Sequence, residues 1–332
     1  MRLPESAVGG DRWRGRPRFV NGKSVLGESQ RAAKSTNEAA GHSLWSYWSP
    51  RFWPTWLLLA WLRLTALLPL YRSVKLHRFL GRGLAVLASR RRRNIGKILA
   101  LCFPALSAAE RQATVRRHFE DLGAWFAEVG ASWFGNPKRF AGMFRIEGVE
   151  HLHAALQRGN GVIAFSGHFM TFEICAPNTK MLVPEFAFMY SPRGNALLNE
   201  IQLRGRERAA HVSFSSDDVR SMLKALRRNA VVWYAPDQTR GPGCEDVSFF
   251  GLPIEMSTAT SRIARVSGAA VVPFFFCRQE SDQEYLLRFE PALEGFPSDD
   301  VIGDTQRLTA ILERFVRETP AQYLWNYKKF AR

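Results

Sequence analysis

The second half of the chain alternates short apolar runs with helix-like segments, and this alternation limits the fold most strongly. The strand candidates are Phe144–Ile146, Val162–Phe165, Phe186–Tyr190, Val231–Tyr234, Ala270–Phe276 and Tyr285–Phe289. The helix candidates between and after them are Val149–Gln157, Thr171–Leu182, Asn195–Ala210, Asp217–Arg228, Thr258–Val266 and Asp304–Arg317. This order is typical of an α/β fold. We therefore expect residues 143–332 to form a mostly parallel or mixed central sheet flanked by helices.

Residues 73–142 contain no strand candidate and have helical periodicity. We expect a helix over His77–Leu101, interrupted at its glycines. Ser107 and Glu110 have the spacing of a capping box, which predicts that a helix begins at the next residue after Ser107. Apolar residues then keep a helical period as far as Phe134. These patterns predict a helical segment before the α/β core.

The most apolar stretch of the chain is Trp53–Leu70. Its length is close to the roughly 20 apolar residues that cross a bilayer, and aromatic and basic residues flank it. We interpret residues 46–72 as a membrane anchor with a transmembrane helix, and the basic flank places the following domain on the cytoplasmic side. Arg63 and Pro69 lie within the stretch, so a helix in the membrane interface and a buried helix remain alternatives.

The chain is strongly basic, with a net charge of +16. No Asp or Glu occurs between Glu38 and Glu110, and the same interval contains the run Arg90–Arg93. Such a charge suits nucleic acid, an acidic membrane surface or an acidic carrier protein. Because the run follows an apolar segment and no nucleic-acid module accompanies it, we expect anionic lipid head groups and no nucleic acid.

Residues 1–45 are rich in Gly, Ser, Arg, Asn and Ala, which predicts a disordered tail or an over-long start of the reading frame. The four cysteines lie far apart without a C-x-x-C motif, so we expect free thiols, no zinc site and no disulfide framework. Cys175 is a candidate nucleophile only by its position, because nothing nearby activates it.

A histidine lies where a buried strand gives way to a helix. Ser166 and Gly167 end the apolar run Val162–Phe165, His168 follows them, and Glu173 comes five residues later. An imidazole can take a proton from a hydroxyl, and a carboxylate behind it can fix the ring and stabilise the imidazolium. Residues i and i+5 lie about 140° apart on a helix. The pair can therefore meet only if the histidine is still in the turn.

Short blocks in a fixed order extend over most of the chain. They are Arg51-Phe-Trp-Pro-Thr-Trp-Leu, Leu101-Cys-Phe-Pro-Ala-Leu-Ser-Ala-Ala-Glu-Arg111, Gly167-His-Phe-Met-Thr-Phe-Glu173, Tyr190-Ser-Pro-Arg-Gly-Asn195, Arg204-Gly-Arg206, Val232-Trp-Tyr-Ala-Pro-Asp-Gln238, Phe249-Phe-Gly251, Ser267-Gly-Ala-Ala-Val-Val-Pro273 and Pro320-Ala-Gln-Tyr-Leu-Trp325. Together they resemble the late (secondary) acyltransferases of lipid A biosynthesis, within the glycerolipid-type H-x4-D/E superfamily. The histidine block is similar to the lauroyl/palmitoleoyl branch.

This resemblance implies transfer of a fatty acyl chain from an acyl carrier protein to a 3-hydroxyacyl hydroxyl of a lipid A precursor, in lipopolysaccharide biosynthesis. His168 would be the general base, Glu173 would orient it, and backbone N–H groups would stabilise the oxyanion. The implied partners are the acyl carrier protein, the lipid A precursor and inner-membrane lipids. The implied location is the cytoplasmic face of a bacterial inner membrane. No metal and no cofactor are implied, because acyl-acyl carrier protein is a co-substrate.

Five polar residues are candidates for substrate binding. Arg193, Arg204 and Arg206 have the chemistry to bind phosphates of the disaccharide or of the carrier's prosthetic arm, or else form a solvated helix face. Asp237 and Gln238 follow a strand candidate, where polar side chains of α/β sheets face the site. We expect Asp237 to hold one of the arginines, with a capping or turn role as the alternative.

One residue departs from the family pattern. The family usually has an arginine directly after the tyrosine, whereas this chain has Tyr190-Ser191-Pro192-Arg193. Head-group recognition therefore stays open, and an acyltransferase acting on a glycerophospholipid or another glycolipid is an alternative. A non-catalytic membrane-binding protein is a further alternative, and it predicts that His168→Ala leaves function intact.

Overall fold

The computed structural model describes residues 43–190, 194–215, 218–239, 241–281, 283–325 and 330. The predictions for residues 1–42, and those for Ser191 and Arg193, lie outside this range.

One long helix organises the segment before the sheet. The helices here are α1 (Trp53–Thr65), α2 (Leu70–Leu87), α3 (Ser89–Cys102) and α4 (Ala108–Phe134). At the start of α4, the Ser107 hydroxyl accepts the Glu110 N–H at 3.3 Å and the Glu110 carboxylate accepts the Ser107 N–H at 2.8 Å. The predicted capping box and the predicted end of α4 are confirmed.

Glycines do not interrupt α2, so that part of the prediction is wrong. A Cβ at Gly81 would lie 2.2 Å from the carbonyl oxygen of Phe119, and one at Gly123 would lie 2.0 Å from that of His77. The glycines therefore allow α2 and α4 to cross with their backbones in close contact. The helical path breaks instead at Ala88, between α2 and α3.

The apolar stretch Trp53–Leu70 is not one helix. Helix α1 has 13 residues and ends at Thr65, and Pro69 precedes the first residue of α2. Thirteen residues rise about 20 Å, less than the roughly 30 Å of a hydrocarbon core. Among the residues that the structure describes, no helix combines the length and the apolar character needed to cross a membrane. The predicted transmembrane helix within residues 46–72 is therefore not found.

Within the described residues, a seven-stranded mixed sheet lies at the centre of the α/β core. The strands of the chain are β1 (Phe144–Glu147), β2 (Val162–Phe165), β3 (Phe186–Tyr190), β4 (Val212–Ser215), β5 (Val231–Tyr234), β6 (Cys244–Phe249), β7 (Leu252–Ser257), β8 (Ala270–Arg278) and β9 (Tyr285–Phe289). The order across the sheet is β1-β9-β8-β2-β5-β3-β4, and β6 and β7 form a separate hairpin. Strands β8 and β9 pair antiparallel, while the other neighbours in this sheet run parallel. The predicted fold class is confirmed.

Helices connect and flank these strands. They are α5 (Val149–Leu156), α6 (Phe172–Leu182), α7 (Ala196–Ala209), α8 (Val219–Arg227), α9 (Ala259–Ser267) and α10 (Val301–Glu318). Each agrees with its predicted segment to within three residues. The central strands β2 and β8 are buried at every position, as expected for strands covered on both faces.

Candidate active site

His168 lies in the turn between β2 and α6, as predicted. Strand β2 ends at Phe165 and α6 begins at Phe172. The N–H of Ser166 donates to the carbonyl of Tyr234 at 3.1 Å, which ties the turn to the end of β5. The His168 side chain is 32% exposed. The imidazole therefore lies at the carboxyl ends of two parallel strands, where ligands of α/β proteins bind.

Asp237, which follows β5, makes two contacts with His168. Its Oδ1 lies 2.5 Å from Nδ1 of the ring, and its Oδ2 accepts the backbone N–H of His168 at 3.1 Å. The Asp237 side chain is completely buried. A buried carboxylate bound to Nδ1 places the ring proton there and leaves Nε2 to accept a proton from a substrate.

Tyr323 is a further contact of Asp237 that sequence reasoning missed. Its hydroxyl donates to Oδ2 of Asp237 at 2.8 Å. Burial, together with the negative charge of Asp237, raises the pKa of Tyr323 well above its usual value, so the hydroxyl stays protonated. Tyr323 belongs to one of the family blocks, but its distance of 86 positions from Asp237 concealed the contact.

A C-terminal segment holds Tyr323 against the turn. Segments His168–Met170 and Gln322–Leu324 exchange backbone hydrogen bonds of 2.9 Å and form an antiparallel bridge. The side-chain amide of Gln238 donates to the carbonyl of Leu324 at 3.4 Å. Gln238, predicted to bind substrate, thus also contacts the backbone of this segment.

Glu173 lies in the first turn of α6 and binds groups other than the imidazole. Its Oε1 accepts the Nε–H of Arg206 at 2.8 Å and a second guanidinium N–H, and its Oε2 accepts the indole N–H of Trp133 at 3.1 Å. Within the described part of the chain, no hydrogen bond or ion pair joins Glu173 to His168. The predicted contact between them is wrong, because the helix turns the Glu173 side chain towards α4 and α7.

Two of the predicted arginines lie on α7, and Arg193 lies outside the described residues. The Arg206 side chain is 15% exposed and is held by Glu173. Arg204 is more exposed and forms an ion pair with Glu200 at 2.7 Å. Substrate binding by these residues stays a prediction.

The two carboxylates have exchanged the partners that the sequence predicted. Glu173 was expected to hold the histidine and Asp237 an arginine, whereas the structure pairs Glu173 with Arg206 and Asp237 with His168. Both carboxylates follow buried strands, so sequence position alone did not distinguish them.

Cys175 is unsuited to nucleophilic catalysis. It lies inside α6 and is fully buried, and this burial raises the pKa of its thiol well above the usual value. The four cysteines of the chain are free thiols, as predicted.

The fold and the site together indicate the class of chemistry that the protein can catalyse. A partly exposed imidazole, fixed by a buried carboxylate at the carboxyl edge of an α/β sheet, is suited to remove a proton from a substrate hydroxyl.

Comparison with known proteins identifies the family of the chain. The family model for bacterial lipid A biosynthesis acyltransferases matches residues 41–332. The lauroyltransferase of lipid A biosynthesis from Escherichia coli K12 is 33% identical over 290 residues, covering 85% of this chain and 92% of the relative. The palmitoleoyltransferase from the same strain is 32% identical over 287 residues, with 85% and 92% covered. The lipid A myristoyltransferase of the same strain is 27% identical over 289 residues, covering 85% of this chain and 88% of the relative.

This chain belongs to the bacterial lipid A biosynthesis acyltransferase family, and it is an acyltransferase.

Proposed function

We propose that the protein transfers a fatty acyl chain from an acyl carrier protein to the hydroxyl of a 3-hydroxyacyl chain on a lipid A precursor. His168 is the general base, and Asp237 orients it. The observation that supports this most directly is the 2.5 Å contact between Asp237 Oδ1 and His168 Nδ1, which leaves Nε2 of a partly exposed ring available to the substrate.

The reaction needs a base because a secondary hydroxyl is a weak nucleophile. Nε2 of His168 takes the hydroxyl proton as the oxygen attacks the thioester carbonyl. Asp237 stabilises the imidazolium that forms. When the tetrahedral intermediate collapses, the carbon–sulfur bond breaks and the imidazolium returns the proton to the departing thiolate. The products are an ester on the lipid and the free thiol of the carrier.

The oxyanion of that intermediate needs hydrogen-bond donors. Trp233 lies on β5 with its ring 5.9 Å from the imidazole, centroid to centroid. Its indole N–H is buried and finds no hydrogen-bond partner among the described residues, and the same is true of the Ser166 hydroxyl. Buried unpaired donors are uncommon and costly. Both groups, with the first N–H groups of α6, are candidates to bind the acyl carbonyl oxygen.

The identities favour one branch of the family. The lauroyl- and palmitoleoyltransferases are 33% and 32% identical to this chain, against 27% for the myristoyltransferase. We propose a lauroyl or palmitoleoyl donor, presented on the cytoplasmic face of the bacterial inner membrane, where acyl carrier protein and the lipid precursor meet.

The serine at position 191 is the reason to test a second class of acceptor. It stands where the family usually has an arginine, so a glycerophospholipid or another glycolipid is the alternative acceptor.

The test is an acyl-transfer assay with a panel of acyl carrier protein thioesters. The acceptors are a tetra-acylated lipid A precursor bearing its inner sugars, a lysophospholipid and glycerol 3-phosphate. Mass spectrometry should show one added acyl chain on the lipid A precursor, and on neither other acceptor. Transfer to a glycerol-based acceptor alone would contradict the proposal.

A further inference from the structure

Helix α1 exposes an apolar stripe on the side away from α4. Its residues recur every three or four positions, which places them on one face, and they are 38–72% exposed: Trp53, Leu57, Trp61 and Leu64. The opposite face of α1 is buried. There, a Cβ at Gly130 of α4 would lie 2.8 Å from the carbonyl oxygen of Leu62.

Helix α2 repeats this arrangement. Its buried side crosses α4 at Gly81 and includes Val74 and Ala85. The other side exposes four large apolar residues, which are 37–84% exposed: Phe79, Leu80, Leu84 and Leu87. An amphipathic helix that packs on a core normally exposes polar residues, so a second apolar face needs a further partner.

The two stripes adjoin through a specific contact. The indole N–H of Trp61 donates to Nε2 of His77 at 3.1 Å, and Nδ1 of His77 lies 2.9 Å from the carbonyl oxygen of Ser73. This fixes α1 beside α2. We call these eight exposed apolar residues of α1 and α2 the apolar platform.

Exposed basic residues lie on α1 and α2, which carry the apolar platform, and on α3, which follows them. The exposed cations of this part of the chain include Arg63, Arg72, Lys75, Lys97 and the run Arg90–Arg93. In the described ranges none of them forms an ion pair, and the chain contains no Asp or Glu between Glu38 and Glu110. On α10, by contrast, Arg314 and Arg317 each pair with a glutamate at 2.6 Å.

We propose that the apolar platform lies in the head-group region of an anionic bilayer, with α1 and α2 parallel to its surface and the arginines at the start of α3 on the lipid phosphates. This inference deepens the membrane location proposed above by adding α2 and α3 to the contact. Apolar and aromatic residues on one face with cations beside them are typical of interfacial helices. A second copy of the chain fits less well, because two faces of the same charge would repel each other.

The experiment measures co-flotation of the full-length protein with vesicles, without substrate. One set contains phosphatidylethanolamine with phosphatidylglycerol and cardiolipin, and the other contains phosphatidylcholine alone. We expect at least tenfold stronger binding to the anionic vesicles, weakened by high salt. The pair Phe79→Glu/Leu87→Glu, both on α2, should reduce that binding at least tenfold.

The matched control is Met181→Glu/Val266→Glu, because these residues are equally apolar and exposed but lie on α6 and α9. This control should bind as the wild type does. Replacing Arg90–Arg93 with glutamine should remove the preference for anionic lipid. Circular dichroism and thermal melting verify that each variant is folded.

Three results would overturn the proposal. They are unchanged binding of the α2 variant, equal binding to both vesicle types, or a dimer that the α2 variant dissociates without any change in vesicle binding. Because no acyl transfer is measured, a failure of the proposed activity would not produce any of them.

Discussion

At the scale of single residues, one buried carboxylate fixes the imidazole of His168. Asp237 contacts both the ring and the backbone of His168, whereas Glu173 binds Arg206 and Trp133. Asp237→Asn should lower kcat by about 100-fold or more. The neutral amide accepts a weaker hydrogen bond from the Nδ1–H group than the carboxylate does, and it has no negative charge to stabilise the imidazolium.

Glu173→Gln is the comparison for that variant. It should keep the pH profile of the wild type and lower the melting temperature, since it leaves the largely covered Arg206 without the charge of Glu173. Rates and melting temperatures of both variants, measured side by side, test the assignment. A pH profile altered by Glu173→Gln but not by Asp237→Asn would restore the partner that the sequence predicted.

Tyr323→Phe removes the hydroxyl that donates to Asp237. The carboxylate then loses one of the hydrogen bonds that hold it against Nδ1 of His168, so kcat/KM should fall. An unchanged kcat/KM in a folded variant would assign Tyr323 a structural role only.

Sequence reasoning located His168 in its turn but not the partners of its ring. His168 and the strand before it were visible in thirteen consecutive residues, Gly161–Glu173. The contacts of Asp237 with His168 and of Tyr323 with Asp237 span 69 and 86 positions. The first contact arises because β2 and β5 are neighbours in the sheet, and the second because the C-terminal segment pairs with the turn after β2. No local pattern encodes either adjacency.

At the scale of secondary-structure elements, α4 supports the C-terminal segment that contains Tyr323. Nδ1 of His118, on α4, donates to the carbonyl of Ala321 at 3.0 Å. Burial, with the nearby charge of Arg91, lowers the pKa of His118 from 6.5 to about 4. This histidine is therefore neutral in the folded protein at neutral pH.

That shift predicts how stability depends on pH. The folded pKa lies below the unfolded one, so the unfolded chain binds the proton first. The free energy of unfolding should be unaffected by His118 above pH 6.5 and should decrease by about 3 kcal/mol as the pH falls to about 4. Urea unfolding between pH 7 and 4 measures this. His118→Asn should flatten the dependence by that amount, and an unchanged slope would contradict the assignment.

The bounds of a strand could be predicted from the sequence where the strand is a short, mostly apolar run. Strands β2, β3, β5 and β9 have the bounds that their apolar runs predicted. Strand β4 lies at the edge of the sheet, and β6 includes exposed acidic residues, so neither has a continuous apolar run. The apolar stretch is divided because α1 ends at Thr65 and Pro69 precedes α2; the sequence showed Pro69, but its apolar composition favoured one continuous helix.

At the scale of the whole molecule, a buried ion cluster joins the helical segment to the sheet. Arg278 of β8 donates to Asp121 at 2.7 Å and also binds Glu128, both on α4, and the hydroxyl of Tyr285 donates to Glu128 at 3.0 Å. The side-chain amide of Gln322 in turn bonds the backbone N–H and carbonyl of Arg278 at 2.9 and 2.7 Å. The cluster therefore also supports the segment that holds Tyr323.

Arg278→Met should destabilise the protein by about 3–5 kcal/mol, because it removes the cation that binds the buried Glu128 and leaves Asp121 to Arg78, which lies 2.8 Å away. Arg314→Met, which removes an exposed partner of Glu290, should cost less than about 1 kcal/mol. Denaturant unfolding of both variants gives the two values. Equal effects would show that the buried cluster contributes no more than a surface pair.

The most direct test of the account is acyl transfer to the tetra-acylated lipid A precursor by wild type, His168→Ala and His151→Ala. His151 lies on α5, outside the site, and serves as the matched control. We predict that wild type and His151→Ala transfer the acyl chain at equal rates, and that His168→Ala is slower by about 100-fold or more. Transfer by His168→Ala at the wild-type rate would contradict the claim that this imidazole is the base.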